Sequence, residues 1–271
     1  MGWSCAVPVE RGREKMRVLV LGGTTEARAL YGLLEQAGAR LDATVSLAGA
    51  TRAPVLPRLA VRIGGFGGVD GLRDWLVAHR TDAVIDATHP FAVRMSANAA
   101  QACTQAGVAL LRVERPGWTP VAGDRWIRVP DMEAAARALD GTPRRVLLTV
   151  GRKDLLPFHH AGAHDWLLRS VDRPDASLLP PGARVLQARG PFDVAAEDAL
   201  LRDERIDVIV TKNSGGTATY AKLVAARARG VPVIMVDRPP VAAAPTVADA
   251  VGAMAWLERL YAHVSSTRRE V

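Results

Sequence analysis

Short runs of aliphatic and β-branched residues alternate along this chain with longer alanine-rich stretches, and that alternation restricts the fold more than any other feature. The runs are Arg17–Leu21, Ala43–Leu47, Ala60–Ile63, Ala83–Asp86, Val108–Val113, Val146–Val150, Val185–Ala188, Val208–Thr211 and Val233–Val236. They are almost wholly apolar, as strands are when helices cover both faces of their sheet. The stretches between them suit helices at Glu26–Gln36, Gly68–His79, Ala92–Ala106, Ala195–Arg202 and Thr217–Arg229. Strand–helix alternation of this kind predicts an α/β fold built on parallel, doubly wound sheet.

The chain also repeats itself. Gly107–Pro116 (GVALLRVERP) aligns with Gly230–Pro239 (GVPVIMVDRP), with five of the ten positions identical. Upstream of each copy stands a further strand and helix. Downstream, Asp131 in one copy and Thr246 with Asp249 in the other offer side chains to the open amides of a helix start. Two related α/β halves are therefore expected, 16–142 and 143–271, joined near Asp140–Arg145. Residues 1–15 have no periodicity and carry an apolar patch ahead of their charges, the reverse of a signal peptide. They are expected to be a loose extension, with Met16 opening the fold.

Composition narrows the partners. Thirty-five Lys and Arg against 28 Asp and Glu leave a formal charge of +7, which suits an anionic ligand. The basic residues are scattered, and aromatic residues make up 5% of the chain, too few for a base-stacking platform, so nucleic acid is not expected. No apolar run has the length of a membrane span. Cys5 and Cys103 are too few for a disulfide framework or a cysteine metal site, and a cytoplasmic protein is expected. Cys103 is expected to be buried packing.

Several segments carry chemistry. The first strand runs into Gly22-Gly23-Thr24-Thr25-Glu26, a glycine turn at a helix start, where open amides and the helix dipole attract a phosphate. The plainer alternative is a capped turn. No carboxylate stands at the end of the second strand, where one would select a free ribose hydroxyl. Ser46, Thr51 and Arg52 are there instead and suit a 2′-phosphate, which favours NADPH over NADH. The glycine run Gly64–Gly68 places Gly65 and Gly67 where a cofactor can lie against backbone. Asp86-Ala-Thr-His-Pro90 ends another strand over the crevice. Thr88 is expected at the cofactor and His89 as a proton or hydrogen-bond donor, with helix capping by Asp86 and Thr88 as the alternative. Lys212-Asn213-Ser214-Gly215-Gly216 forms a second anion cradle at the equivalent place in the second half. His159, His160 and His164 are expected to be loop histidines, and no metal site is expected.

The ordered set GGTTEAR, GGFGG, DATHPFA, GRKDL (Gly151–Leu155), RGPF (Arg189–Phe192) and TKNSGG resembles the precorrin-6A reductase family, from about Met16 to Leu260. The resemblance implies two Rossmann-like domains with NADP(H) and substrate in the cleft between them, and strands exchanged between the domains. It implies NADPH-dependent reduction of a ring-D-adjacent double bond of precorrin-6A, giving precorrin-6B in cobalamin biosynthesis. Hand-over of the substrate from other corrin-pathway enzymes goes with it. Arg152, Lys153, Arg189 and Lys212 are then the expected contacts to the acetate and propionate groups of the tetrapyrrole. His89 and Lys212 are the expected proton sources, with Tyr220 behind them. Two alternatives stay open. A short-chain reductase or epimerase wants a Tyr-x-x-x-Lys pair, which Tyr31, Tyr220 and Tyr261 do not supply. A non-catalytic nucleotide-binding regulatory module leaves the second cradle without a purpose.

Overall fold

A computed structural model describes residues 15–49, 56–139 and 141–267. Thr51 and Arg52 lie outside the described residues, as does the expected N-terminal extension apart from Lys15. Among these residues the chain forms two six-stranded sheets, and every strand pairing in both is parallel. The α/β class expected from the alternation is the class that forms.

The first sheet contains β1 (Met16–Leu21), β2 (Leu41–Leu47), β3 (Ala60–Ile63), β4 (Ala83–Asp86) and β5 (Ala109–Val113). The second contains β6 (Trp126–Val129), β7 (Arg145–Thr149), β8 (Asp165–Ser170), β9 (Arg184–Gln187), β10 (Val208–Lys212) and β11 (Val233–Val236). A last strand, β12 (Thr246–Val247), returns to the first sheet beside β5. The spatial orders are β12-β5-β4-β1-β2-β3 and β6-β11-β10-β7-β8-β9. The first follows the 3-2-1-4-5-6 order of a dinucleotide-binding sheet, and the second has the same arrangement with β6, which precedes its other strands in the chain, in the sixth place. In each, the sixth strand comes from the opposite half of the chain. A cut at residue 142 therefore does not separate the sheets.

Helices cover both faces. In β1, Val18 and Val20 point to one side, where α1 (Thr25–Gln36) supplies Leu30, Tyr31 and Leu34 and α7 (Ala250–Thr267) supplies Ala250, Ala253 and Leu257. Leu19 and Leu21 point to the other, against Leu72 and Leu76 of α2 (Val69–Ala78) and Ala99, Ala102 and Cys103 of α3 (Val93–Ala106). Side chains that alternate between two buried faces explain why the strand sequences are apolar at consecutive positions. The second sheet is built the same way. Val146 and Leu148 meet Met132 and Ala135 of α4 (Met132–Arg137), while Leu147 and Ile209 meet Leu201 of α5 (Val194–Asp203) and Leu223 of α6 (Ala221–Arg229). Each fully buried Val, Leu, Ile or Met among them contributes roughly 1.5–3 kcal/mol by leaving water.

The repeat has a structural cause. Gly107 and Gly230 end α3 and α6 in the left-handed conformation, with φ of 65° and 66°, a position that favours glycine. Beyond β5 and β11 each copy then crosses to the other sheet, and α4 and α7 follow there. Asp131 caps α4 as expected. At α7 the cap is Asp249, whose carboxylate accepts from the Gly252 amide at 2.8 Å, while Thr246 belongs to β12. The helix expected from Thr217 starts only at Ala221, because Thr217–Tyr220 forms a turn closed by the Tyr220 amide on the Thr217 carbonyl. Among the described residues no helix is long and apolar enough to cross a membrane.

Candidate active site

In sheets of this order ligands bind where the strand order reverses, outside the carboxyl ends of the strands. The reversal falls between β1 and β4 in the first sheet and between β7 and β10 in the second. The loops leaving those four strands carry Gly22–Thr24, Ala87–Phe91, Val150–Asp154 and Asn213–Thr217.

At the first reversal the Gly22 amide donates to Ser46 O at 2.9 Å, and Gly23 takes φ of +121°. Thr24 caps α1: its Oγ1 accepts from the Ala27 amide at 3.1 Å and donates to Ala87 O at 2.9 Å, tying the β1 turn to the β4 turn. Helical geometry leaves the Thr25 and Glu26 amides without an intrahelical acceptor. Tyr31 packs against the back of the turn, so a β-carbon at Gly22 would stand 1.7 Å from its Oη. Burial pushes that phenol up to about 12. On the ligand side the turn is open: a β-carbon at Gly23, Gly64, Gly65, Gly67 or Gly68 meets nothing within 4 Å. Ser46 lies beside this wall, where its Oγ accepts from Arg62 at 2.9 Å. A glycine turn with open amides, backed by a buried ring, with a second open glycine run at the same strand ends two strands away, fits a dinucleotide.

The second cradle is used differently. The Asn213 carboxamide accepts from the Trp118 amide at 2.7 Å and donates to Trp118 O at 3.0 Å. Gly215 and Gly216 take φ of 68° and 73°, and β-carbons there would lie 2.1 Å from Pro116 O and 2.8 Å from Arg115 Cδ. Arg115 donates to Ser214 O at 2.7 Å and pairs with Glu26, while Arg238 donates to Asn213 O, Ser214 O, Arg115 O and Glu114. On their Cα side these glycines meet the two chain crossings, and the carbonyls of Asn213 and Ser214 are taken by Arg115 and Arg238. Asn213, Gly215 and Gly216 serve as a junction, and Glu26 is held in its ion pair rather than turned to a cofactor. Thr88 is likewise turned inward, donating through its hydroxyl to Asp86 Oδ1 at 2.7 Å. The carboxylate thus closes the Thr88 turn instead of capping α3, whose cap position is Ala92.

Between the two reversals stand His89 and Lys212. The Phe91 amide donates to His89 Nδ1 at 3.2 Å, which leaves the ring proton on Nε2, directed at Ser214 Oγ 3.1 Å away. Burial first, then the charges of Arg115, Lys212 and Arg238, push His89 down to about 3. It is therefore a neutral imidazole at neutral pH. Lys212 Nζ donates to Asp154 Oδ2 at 2.6 Å and lies 4.9 Å from the centroid of the Phe91 ring. Asp154 Oδ2 also accepts from the Gly151 amide at 3.2 Å. The Tyr220 hydroxyl accepts from Arg227 at 3.1 Å, and Arg227 is itself paired with Asp124.

Residues 17–258 match the family model described as precorrin-6x reductase CbiJ/CobK. The chain belongs to the precorrin-6x reductase family. It is 52% identical over 241 residues to the precorrin-6A reductase of Rhodobacter capsulatus, covering 89% of this chain and 95% of that one. It is 32% identical over 233 residues to the cobalt-precorrin-6A reductase of Salmonella typhimurium, covering 82% and 87%. A solved structure of the CobK precorrin-6A reductase superimposes with a TM-score of 0.86 at 51% identity, covering 90% of this chain and 97% of that one. Membership makes the chain an oxidoreductase and sets aside both the short-chain reading and the non-catalytic module.

Against that family the expected residues sort by position. Arg152 and Lys153 are exposed in the turn after β7, and Arg189 is exposed in the loop after β9, on the same edge of the second sheet. Sequence reasoning missed Asp154, although it stands inside GRKDL, because its partner is 58 residues away. It also missed Arg115 and Arg238, for which a signal existed: they occupy equivalent places in the repeat, each before a proline. His164 is structural, accepting from the Arg144 amide and bonded through Nε2 to Ala161 O at 2.7 Å.

Proposed function

We propose that this chain, a precorrin-6A reductase of cobalamin biosynthesis by its family, draws its hydride from NADPH held at the first glycine turn. The bond reduced is the ring-D-adjacent double bond, and the product is precorrin-6B. The observation that carries this reading is the juxtaposition of an open turn at one strand-order reversal with the Lys212–Asp154 pair at the other, His89 and Ser214 joining the two loops. When bound, the nicotinamide supplies the hydride. Gly23, Thr25 and the first amides of α1 hold the pyrophosphate through backbone N–H groups and the helix dipole.

Lys212 donates the proton, and Asp154 fixes where its ammonium points. His89 stays neutral and holds Ser214 and the Phe91 loop in register, so it positions rather than donates. Arg152, Lys153 and Arg189 receive carboxylates of the substrate, which accounts for the basic balance of the chain. Orientation is the larger part of the rate: near-attack placement is worth roughly 7–11 kcal/mol, against 10²–10⁴-fold for one acid. The metal-free macrocycle is the better substrate, because relatives named for precorrin-6A are 47–52% identical and those named for the cobalt form 30–32%. The enzyme works in the cytoplasm and takes its substrate from other corrin-pathway enzymes.

The test is to mix the purified chain with precorrin-6A and NADPH and follow loss of NADPH absorbance, with cobalt-precorrin-6A and NADH as alternatives. NADPH oxidation that needs precorrin-6A supports the proposal. Oxidation of NADH but not of NADPH, or of neither, removes it.

A further inference from the structure

We infer that Arg62 reads the phosphate that distinguishes NADP(H) from NAD(H) and so sets the cofactor preference of this reductase. The inference rests on the cofactor reading above and deepens it. In a sheet of this order the adenosine ribose is read at the carboxyl end of the second strand, by a carboxylate when the ribose hydroxyl is free and by an arginine when it is phosphorylated. That strand ends here in Ser46-Leu47-Ala48-Gly49, with no carboxylate. Arg62 faces Ser46 directly in the β2–β3 register.

The guanidinium is fixed from several sides. It donates to Ser46 Oγ at 2.9 Å, to Gly64 O at 2.9 Å and to Gly65 O at 3.0 Å. It also lies over the Phe66 ring, 3.7 Å from the centroid. Its hydrogen-bond acceptors are all neutral. Arg73, Arg115, Arg227, Arg229 and Arg238 each reach a carboxylate, whereas Arg62 is in no ion pair among the described residues. Partial burial lowers its pKa, as expected of a cation with no anion beside it. Around it the glycine run is open, with nothing within 4 Å of a β-carbon at Gly64, Gly65, Gly67 or Gly68.

A planar cation held in place by its own loop, uncompensated and bordered by open backbone, is set up for a phosphate. It needs little reordering before it makes charge-assisted bonds. The bonds to Gly64 O and Gly65 O give it a second effect. Arg62 shapes the glycine run against which the adenosine lies, so reader and wall are one unit. Arg52, expected from the sequence for this task, lies outside the described residues.

The experiment is a binding titration with NADP⁺ and with NAD⁺, read by tryptophan fluorescence or calorimetry, on the wild-type chain and on Arg62→Gln, Arg62→Lys and Arg52→Gln. Arg62→Gln should weaken NADP⁺ by roughly 10- to 100-fold, the loss of charge-assisted hydrogen bonds. NAD⁺ affinity should fall much less, by the share Arg62 contributes to shaping the glycine run, so that the preference for NADP⁺ narrows. Arg62→Lys should fall between, keeping charge without the fork. If Arg62→Gln keeps the NADP⁺ preference, or weakens both dinucleotides equally, the inference is wrong. Loss of preference in Arg52→Gln alone also overturns it. A wild-type chain that binds neither dinucleotide overturns the cofactor reading itself, a separate outcome.

Discussion

Replacing Gly22 by alanine tests the first glycine turn at the point where it has least room. The new methyl would stand 1.7 Å from Tyr31 Oη and 3.0 Å from Cζ, with Leu47 at 3.5 Å. Ordinary contact begins near 3.4 Å, so turn and ring must separate by roughly 1.7 Å at the hydroxyl before repulsion is relieved. Tyr31 cannot simply swing away, because it is 5% exposed and packed in the core under α1 and α7. Overpacking of this kind costs about 1–3 kcal/mol. In a chain of this size that lowers Tm by about 2–10 °C. The displaced turn also moves the amides proposed to hold the pyrophosphate, so NADP⁺ affinity should fall with stability.

Tyr31→Phe provides the control. It removes the clashing oxygen, which lies buried beside the Gly23 backbone, and by itself should change stability by no more than about 1 kcal/mol. The double variant should recover most of the lost Tm, leaving the 3.0 Å contact to ring carbon to be relieved by a few tenths of an ångström. Differential scanning calorimetry gives the stabilities and fluorescence titration the affinities. If Gly22→Ala melts with the wild type, or Tyr31→Phe fails to rescue it, the packing argument is refuted.

Three further outcomes are expected. Lys212→Met should lower turnover by about 10²–10⁴-fold while leaving NADP⁺ binding intact, and Asp154→Asn should lower it less; full turnover in Lys212→Met would remove the proposed proton donor. His89→Gln should keep cofactor binding and lower turnover. Because folding depresses His89 from 6.5 to about 3, the unfolded chain binds the extra proton between those values. Stability from this group is therefore complete above pH ~6.5 and falls by at most about 1.4 kcal/mol per pH unit on acidification towards 3. Urea midpoints of wild type and His89→Gln at pH 7 and pH 5 should converge on acidification, and parallel shifts would contradict the burial argument. Arg238→Ala removes donors to Asn213 O, Ser214 O, Arg115 O and Glu114. It should cost about 2 kcal/mol or more, measured as a lowered denaturation midpoint, and an unchanged midpoint would show that the junction contributes nothing.

Much of the fold was legible because the central strands are buried on both faces, as Val18 to Leu21 are, and their sequences say so. The strands that escaped lack that signature. Asp165–Ser170 is broken by Arg169, a buried arginine whose charge is met by Glu197 from α5, a pairing no local pattern reveals. Trp126–Val129 sits at a sheet edge with Ile127 and Arg128 exposed, and Thr246–Val247 has only two residues. The first glycine turn was legible for a chemical reason, since glycine, threonine and a helix start suit an anion. The second was legible only as a close approach, because glycine reports that something comes close to the backbone and not what it is. At Gly215 and Gly216 it is Pro116 and Arg115. Lys212 could be picked out alone, but its orientation by Asp154 exists only once β7 and β10 lie side by side.

The two chain crossings touch where Arg238 donates to the Arg115 carbonyl, and this has a mechanical consequence. Two bodies joined by a pair of crossings that meet at Glu114, Arg115 and Arg238 share that junction, so a movement that parts the crossings has to break those bonds. The same interlacing means that neither lobe is a separable unit. Pieces made apart at residue 142 would each lack a border strand and a roofing helix, and they should become ordered only when mixed.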